Sequence, residues 1–315
     1  MGEQDSSGDG GADGSATGAP GKAGKLPAGG GTPGVGRVRT PLFTAQHSER
    51  YARQELIRNY ETTTGANLIV VIDQIFPANV TYLEELLFDC PRDQPLHVLL
   101  ASPGGDGETA IRMVRSCQAR CTELTIIIPD MAKSAATLLS LGADHIMMGP
   151  GGDLGPVDPQ FQLGRGLVGA KDIVRAVEEA EQRVRDAPDT FPLFSSLLAD
   201  VNMLMVEQAR SALLRSGALV REALSCAGRL DAEVESLTQA LQSPLIDEPT
   251  SHSAVISPQT AKKLGLPVIE PDLDSEPWQI IWSLWTRYFN LGCFPVGPVA
   301  VYEAKRASHV LPPMR

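Results

Sequence analysis

The chain has 315 residues, of which 43% are hydrophobic and 21% charged, and its formal net charge is −11 at pH 7. These proportions are typical of a globular protein and exclude a chain that is disordered throughout. The acidic balance argues against binding to nucleic acid or to anionic membrane surfaces, since both require basic patches. The longest apolar runs, Leu96–Ala101 and Leu124–Pro129, are far shorter than the ~18 residues that a transmembrane helix needs.

The first 42 residues have the composition of a flexible tail. Thirteen of the 30 glycines lie before Arg37, mixed with alanine, serine and proline. This segment lacks the charged start and apolar block of a secretory signal. Residues 43–315 are enough for one large α/β domain. Five cysteines without a paired framework predict a reduced, cytoplasmic protein, and the sequence implies no metal or organic cofactor.

Strand and helix patterns alternate through the first half of the domain. Short apolar runs predict buried strands at Asn67–Ile72, Leu96–Ala101, Leu124–Ile128 and Asp144–Met148. Helices are predicted before and between them at Ser48–Thr63, Thr81–Leu87, Thr109–Arg120 and Ser134–Gly142. This rhythm implies parallel strands joined by crossover helices.

The second half of the domain is predicted to be mostly helical. The segments are a charged helix at Ala170–Arg185, a long stretch at Phe194–Ala240, a short helix at Thr260–Leu264 that Gly265 stops, and an aromatic helix at Glu276–Asn290. The last helix carries Trp278, Trp282, Trp285 and Phe289 on one face. Such a stripe predicts a core or oligomer contact. Membrane-surface contact is less favoured because the helix has no basic polar face.

Three unusual loops follow predicted strands. The first, S-P-G-G-D-G, contains Gly104 and Gly105, whose backbone N–H groups can hold a developing oxyanion; a plain turn is the alternative. The second, M-A-K-S-A-A-T, places Ser134 at the start of a helix of small residues, as a nucleophile or as a helix cap. The third, Gly149–Gln160, is too rich in glycine and proline to be regular. In an open parallel sheet, ligand sites gather at the carboxyl ends of the strands, where these loops lie.

The ordered motifs S-P-G-G, A-K-S-A-A-T-L-L-S-L-G-A-D and L-G-P-V-D-P-Q resemble the serine dehydrogenase proteinase family. That family belongs to the clan of the Clp protease proteolytic subunit and signal peptide peptidase. The resemblance covers about Asn67 to Phe161 and returns weakly at His252–Leu266. It implies a Clp protease/crotonase-like α/β fold, with a mostly parallel sheet and flanking helices. It also implies a serine endopeptidase that acts on peptides or proteins.

The resemblance assigns roles to four residues of the first two loops. Ser134 matches the nucleophile of the clan. Gly104 and Gly105 match the glycine pair that lines the oxyanion hole, and the N–H group of Ala135 would be the second donor. These roles agree with the independent interpretation of both loops as sites of backbone donors.

The general base is less well defined by the motifs. The stretch where the Clp branch keeps a histidine reads P-V-D-P here. A lysine, as in the signal-peptide-peptidase branch, is the alternative, and Lys171, 37 positions after Ser134, is the first candidate. His252 competes with it. Lys133 is expected to touch substrate or a partner subunit, and Asp158 to orient a base, bind substrate or cap a turn.

Two other classes of function remain open. A non-catalytic scaffold would explain the missing Clp-type histidine. An acyl-CoA enzyme of the crotonase type would use the same paired backbone donors but has no need of a nucleophilic serine. The sequence has no G-x-G-x-x-G loop of a nucleotide-dependent dehydrogenase. The apolar stripe and the long helical stretch predict a homo-oligomer.

Overall fold

The computed structural model describes residues 40–163, 166–248 and 254–311. The chain divides into two compact units, Met1–Ala45 and Gln46–Arg315. Most of the predicted tail, and the candidate base His252, lie outside the described residues. Among the helices that are described, none combines the length and apolar composition needed to cross a membrane.

The helices are α1 (Pro41–Thr64), α2 (Asn79–Leu87), α3 (Gly107–Gln118), α4 (Ala135–Leu141), α5 (Ala170–Asp186), α6 (Phe191–Leu197), α7 (Met203–Cys226), α8 (Asp231–Gln242), α9 (Pro258–Lys263) and α10 (Glu276–Asn290). The strands are β1 (Asn67–Ile72), β2 (Leu96–Ala101), β3 (Leu124–Ile128), β4 (Met131–Ala132), β5 (His145–Met148), β6 (Asp153–Leu154), β7 (Gln160–Leu163), β8 (Gly166–Gly169), β9 (Val268–Ile269), β10 (Ala300–Glu303) and β11 (Ser308–Leu311).

The central sheet has the strand order β11-β10-β1-β2-β3-β5-β9. The five strands from β1 to β9 in this order run parallel, and β10 and β11 add an antiparallel edge. All six residues of β1 and all five of β3 are buried, because helices cover both faces of the sheet. The predicted α/β fold with a mostly parallel sheet is confirmed.

Each face of the sheet has its own apolar core. The larger core packs α2, α3, α4, α7 and α8 against one face, and the smaller one packs α1 and α10 against the other. The aromatic stripe of α10 is therefore divided. Trp278 and Trp285 are 6% and 4% exposed within the smaller core, whereas Trp282 and Phe289 are 47% and 50% exposed.

The first three predicted strands of the sheet match the structure, but several helix ends differ. Helix α1 begins at Pro41, well before the predicted start at Ser48, because proline is favourable in the first helical position. The predicted long helical stretch is divided into α6, α7 and α8. Asn202 caps α7 by accepting a hydrogen bond from the N–H of Met205 (2.9 Å), and Gly228 (φ 64°) turns the chain before α8.

Candidate active site

The loops after β2 and β3 are joined directly by backbone hydrogen bonds. The N–H of Ser102 donates to the carbonyl of Met131 (3.1 Å), and the N–H of Lys133 donates to the carbonyl of Ser102 (3.0 Å). The third loop joins them through β6, which pairs in parallel with β4. The three loops singled out in the sequence therefore meet at the carboxyl ends of the parallel strands.

Ser134 has an unusual backbone conformation, with φ 51° and ψ −116°. Within the described ranges, it is the one non-glycine residue with a positive φ. The N–H of Ala136 donates to the carbonyl of Lys133 (2.9 Å), so Ser134 occupies the first central position of a tight turn, with angles typical of type II′. Glycine is favoured at that position, so the serine is held there under strain.

The hydroxyl of Ser134 does not cap the helix that follows it. No side-chain capping bond is formed at Ser134, and its Oγ has no hydrogen-bond partner among the described residues. The helix cap considered from the sequence is thus wrong. Helix α4 is anchored instead by burial, since all seven of its residues are buried.

Thr137, on α4, fixes the turn to the third loop. Its buried Oγ1 lies 2.9 Å from the carbonyl oxygens of both Ala132 and Gly155, and it accepts a hydrogen bond from the N–H of Gly155 (3.1 Å). Thr137 was not among the residues predicted from the sequence. A lone threonine within a small apolar helix was the available signal, because a buried hydroxyl has to find partners.

The two glycines of the first loop have different roles. Both have positive φ, 103° at Gly104 and 143° at Gly105. The N–H of Gly104 donates to Ser102 Oγ (3.1 Å), and its carbonyl accepts from the N–H of Ile75 (2.8 Å). A side chain on Gly105 would collide with the backbone of Ile75. The segment after β1 thus holds the glycine loop in place, which the sequence did not predict.

Two backbone donors remain unused beside Ser134. The N–H groups of Gly105 and Ala135 donate to no acceptor within the described residues. Both residues, with Ser134, line a cavity of about 630 Å³. Free donors next to a serine hydroxyl in a cavity have the arrangement needed to stabilise a tetrahedral oxyanion.

Helix α7 forms part of the wall of this cavity, through Ala212, Ser216 and Leu219 among others. A Cβ on Gly107 would stand 2.9 Å from Leu219 Cδ1, so the start of α3 packs closely against this wall. From the sequence, α7 is predicted only as part of a helical stretch. Its apolar spacing did not indicate which face meets the site.

An ion pair joins the two helices at the cavity. Arg215 of α7 donates to both carboxylate oxygens of Glu108 on α3 (2.6 and 2.7 Å) and to Glu222 (2.6 Å). The hydrogen bonds from Arg215 lower the pKa of Glu108, so this carboxyl stays ionised and paired. Asp106 is also engaged, because it caps α3 by accepting from the N–H of Thr109 (2.7 Å).

Asp158 lines the cavity and is 3% exposed. A Cβ on Gly169 would stand 3.3 Å from its Oδ2, so the carboxylate lies at the start of α5. Lys171 is half-buried in the first turn of that helix. The described residues that line the cavity include neither Lys171 nor any other lysine or histidine.

The side chain of Lys133 is largely buried and makes its polar contacts within the protein. Its side chain is 13% exposed, and Nζ lies 2.6 Å from Asp153 Oδ1 and donates to the carbonyl of Ala254 (3.3 Å). Its charged end is therefore engaged inside the protein, and the expected contact with a substrate or a partner subunit stays a prediction.

The fold, with its mostly parallel sheet and flanking helices, is of the Clp protease/crotonase-like kind. The chain belongs to the ClpP-like SDH-type serine proteinase family, whose model matches residues 41–222. The family resemblance of the sequence motifs is confirmed.

Two curated proteins are similar to this chain in sequence. An uncharacterized protein of Methanocaldococcus jannaschii is 30% identical over 198 residues, which cover 63% of this chain and 60% of that protein. A second uncharacterized protein of the same organism is 28% identical over 118 residues, 38% of this chain and 37% of its own. The chain thus spans less than two thirds of the length of either relative.

Two solved structures of a membrane-bound stomatin-specific protease are also similar. One is a serine-to-alanine mutant, and the other is a lysine-to-alanine mutant in complex with a substrate peptide. Each match covers 66% of this chain at 15% identity, with 83% and 78% of the other chain and TM-scores of 0.39 and 0.40.

Proposed function

We propose that this protein is a serine endopeptidase and that Ser134 is its nucleophile. The observation that carries the proposal is the strained turn at Ser134, whose free hydroxyl shares a cavity with two unused backbone donors. Membership of a serine proteinase family supports it. Strained backbone that the surrounding structure maintains is common at active sites, where it presents the reacting group.

The reaction begins when Ser134 Oγ bonds to the carbonyl carbon of the scissile peptide and gives its proton to a base. The carbonyl electrons move to the oxygen, and the N–H groups of Gly105 and Ala135 stabilise this oxyanion. Each such donor typically contributes about 3–4 kcal/mol to the transition state. The amine then leaves with a proton, and water hydrolyses the acyl-enzyme. The N–H of Gly104 already donates to Ser102 Oγ, so we assign it no part in binding the oxyanion. Gly104 contributes instead by having no side chain.

Lys171 is our assignment for the base. Its helix starts at the cavity wall, because the N–H of Ala170 donates to the carbonyl of Pro159 (2.8 Å), and Pro159 lines the cavity. To act, the amine must come within ~2.6–3.2 Å of Ser134 Oγ or reach it through one water. Asp158, at the same helix start, is assigned to orienting that amine.

Covalent labelling with a fluorophosphonate probe, together with hydrolysis of casein, tests the assignment. The wild-type protein is expected to be labelled at residue 134 and to cleave casein, and Ser134→Ala to do neither. Ser283→Ala, on the exposed face of α10, is the matched control and should remain active. Acyl-CoA binding without labelling would instead favour the crotonase-type enzyme, and a protein without either activity would favour the scaffold.

The base is tested separately in the same assay. Lys171→Met should remove both labelling and cleavage, while Lys262→Met, which breaks an exposed pair with Glu270, should not. A fully active Lys171→Met would contradict the assignment of Lys171 without affecting that of Ser134. His252→Ala would then be the next variant to examine.

We also propose that the active form is a cytoplasmic homo-oligomer that acts on peptide or protein substrates. Support for assembly comes from exposed apolar side chains on α6, where Phe191 and Leu197 are 63% and 67% exposed, and from Trp282 on α10. Free cysteines support a reducing compartment. A monomeric mass at micromolar concentration in analytical ultracentrifugation would contradict the proposed assembly.

A further inference from the structure

The side chain of Lys133 connects the nucleophile turn to the third loop. Its Nζ lies 2.6 Å from Asp153 Oδ1 of β6 and donates to the carbonyl of Ala254 (3.3 Å). The contact with Asp153 is an ion pair rather than an aligned hydrogen bond, because no described donor is aligned with that oxygen. Lys133 immediately precedes Ser134, so the pair acts on the turn itself.

The aliphatic part of Lys133 lies directly on the backbone of the third loop. A Cβ on Gly155 would overlap Lys133 Cδ and stand 3.3 Å from Lys133 Cα. The loop beneath it is fixed in turn, since the N–H of Asp153 donates to the carbonyl of Asp130 (2.7 Å) and β6 pairs with β4. Lys133 is thus held at its stem and at its charged end.

The backbone of Lys133 holds the strained turn. Its N–H donates to Ser102 (3.0 Å), and its carbonyl accepts from Ala136 across Ser134 (2.9 Å). A residue with positive φ keeps that conformation only where its neighbours hold it in place. Lys133 is held in place on one side of Ser134, and the buried helix α4 lies on the other. The backbone of Ser134 therefore has little freedom to change its conformation.

We propose that Lys133 is a positioning residue: its ion pair with Asp153 holds the turn that presents the Ser134 hydroxyl to the cavity. This inference rests on the proposed role of Ser134 as nucleophile. Lys133 does not touch the substrate and does not accept the proton of the serine.

The charges around the pair lead us to expect that it is sensitive to substitution. Burial raises the pKa of Asp153, and its pairing with Lys133 opposes that rise. Burial also raises the pKa of Asp130, with a further contribution from Asp153 and opposition from Lys133. Without the ammonium group, two partly buried carboxyl groups face each other with no cation between them, and the loop is expected to move apart.

The test compares Lys133→Met and Asp153→Asn with the wild type and with Lys262→Met as the control. Lys262→Met removes a lysine–glutamate pair of similar length, 2.7 Å, that is exposed and does not involve Lys133 or Asp153. Three quantities are measured: amide hydrogen exchange across residues 131–137, the rate of fluorophosphonate labelling at Ser134, and kcat and KM for casein. Lys133→Arg, which keeps a cation for Asp153, is the conservative rescue.

Both site variants are expected to exchange the Ala136 amide at least tenfold faster, with β1 to β3 unchanged. Labelling and kcat should fall about 10- to 100-fold, because a small displacement of a reacting group has effects of that size. KM should stay near that of the wild type, and Lys133→Arg should recover part of the labelling rate. The control should match the wild type throughout.

Exchange at the wild-type rate in Lys133→Met overturns the proposal, as does faster exchange without slower labelling. If Lys133→Met does not fold, Asp153→Asn, which keeps the shape of its side chain, decides by the same criteria. A wild-type protein that the probe does not label contradicts the proposed function. In that case the exchange rates alone still decide whether Lys133 holds the turn.

Discussion

A Cβ on Gly104 would stand 2.6 Å from the Cβ of Ser134 and 2.7 Å from the carbonyl oxygen of Lys133. The glycine loop and the turn at Ser134 are therefore packed without space for a single additional methyl group. Because α4 is fully buried behind Ser134, the turn cannot move back to make room. The two loops behave as one unit, and a change in either displaces the other.

Substituting Gly104 tests this contact. Gly104→Ala is expected to destabilise the protein by about 1–3 kcal/mol, because it combines a collision with a φ of 103° that alanine rarely adopts. Labelling at Ser134 should fall to background. Gly151→Ala is the matched control, since a Cβ there has no neighbour within 4 Å. Urea unfolding and probe labelling measure both effects, and wild-type labelling in Gly104→Ala would contradict the packing.

The strain at Ser134 predicts a stabilising substitution. Ser134→Gly should raise the free energy of unfolding relative to Ser134→Ala by about 1 kcal/mol, because glycine adopts these backbone angles freely. The gain is reduced by the larger entropy of glycine in the unfolded chain. Thermal and urea denaturation of the two inactive variants give the comparison. An alanine variant as stable as the glycine variant would show that the turn is not strained.

Thr137 is expected to be the more important of the two buried hydroxyls on α4. Thr137→Val keeps the shape of the side chain but leaves the N–H of Gly155 without its partner, so it should cost about 1–3 kcal/mol and slow labelling. Ser140→Ala is the matched control, because the hydroxyl of Ser140 only donates back to the carbonyl of Ala136 within the helix (2.8 Å). Equal losses in the two variants would contradict the proposed tie to the third loop.

His97 predicts how stability changes with pH. Its Nδ1 lies 2.7 Å from the hydroxyl of Tyr60, and burial, with a smaller effect of His145, lowers the pKa of His97 from 6.5 to about 4. The folded state therefore binds fewer protons than the unfolded state between these values. The contribution of neutral His97 to the free energy of unfolding is fully present above pH 6.5 and is lost as the pH falls toward 4.

The loss reaches about 3 kcal/mol by pH 4, because one pKa unit corresponds to about 1.4 kcal/mol. His97→Gln retains an acceptor for Tyr60 but has no charge to gain, so its stability should fall less steeply. Urea unfolding from pH 7 to pH 4 gives the difference between the two proteins. Parallel curves would show that His97 does not titrate in this way.

The sequence by itself determined the first three strands of the sheet and the loops that form the candidate site, but not the antiparallel edge of β10 and β11. The apolar runs at Asn67–Ile72, Leu96–Ala101 and Leu124–Ile128 are short, bounded by turn residues and buried on both faces, so composition and length locate them without tertiary information. The motif around Gly104 was equally visible, because glycine readily adopts a positive φ, whereas the positive φ of Ser134 could not be predicted from its residue type.

Only the tertiary structure decided which neighbours these residues have. The clamp of Ile75 on the glycine loop, the wall that α7 gives the cavity and the inward turn of Lys133 toward Asp153 all join segments distant in the chain. The division of the tryptophan stripe has the same origin, since Trp278 and Trp282 share a periodicity but only Trp278 meets the sheet. Periodicity identifies a helical face, whereas its burial depends on how close other elements pack against it.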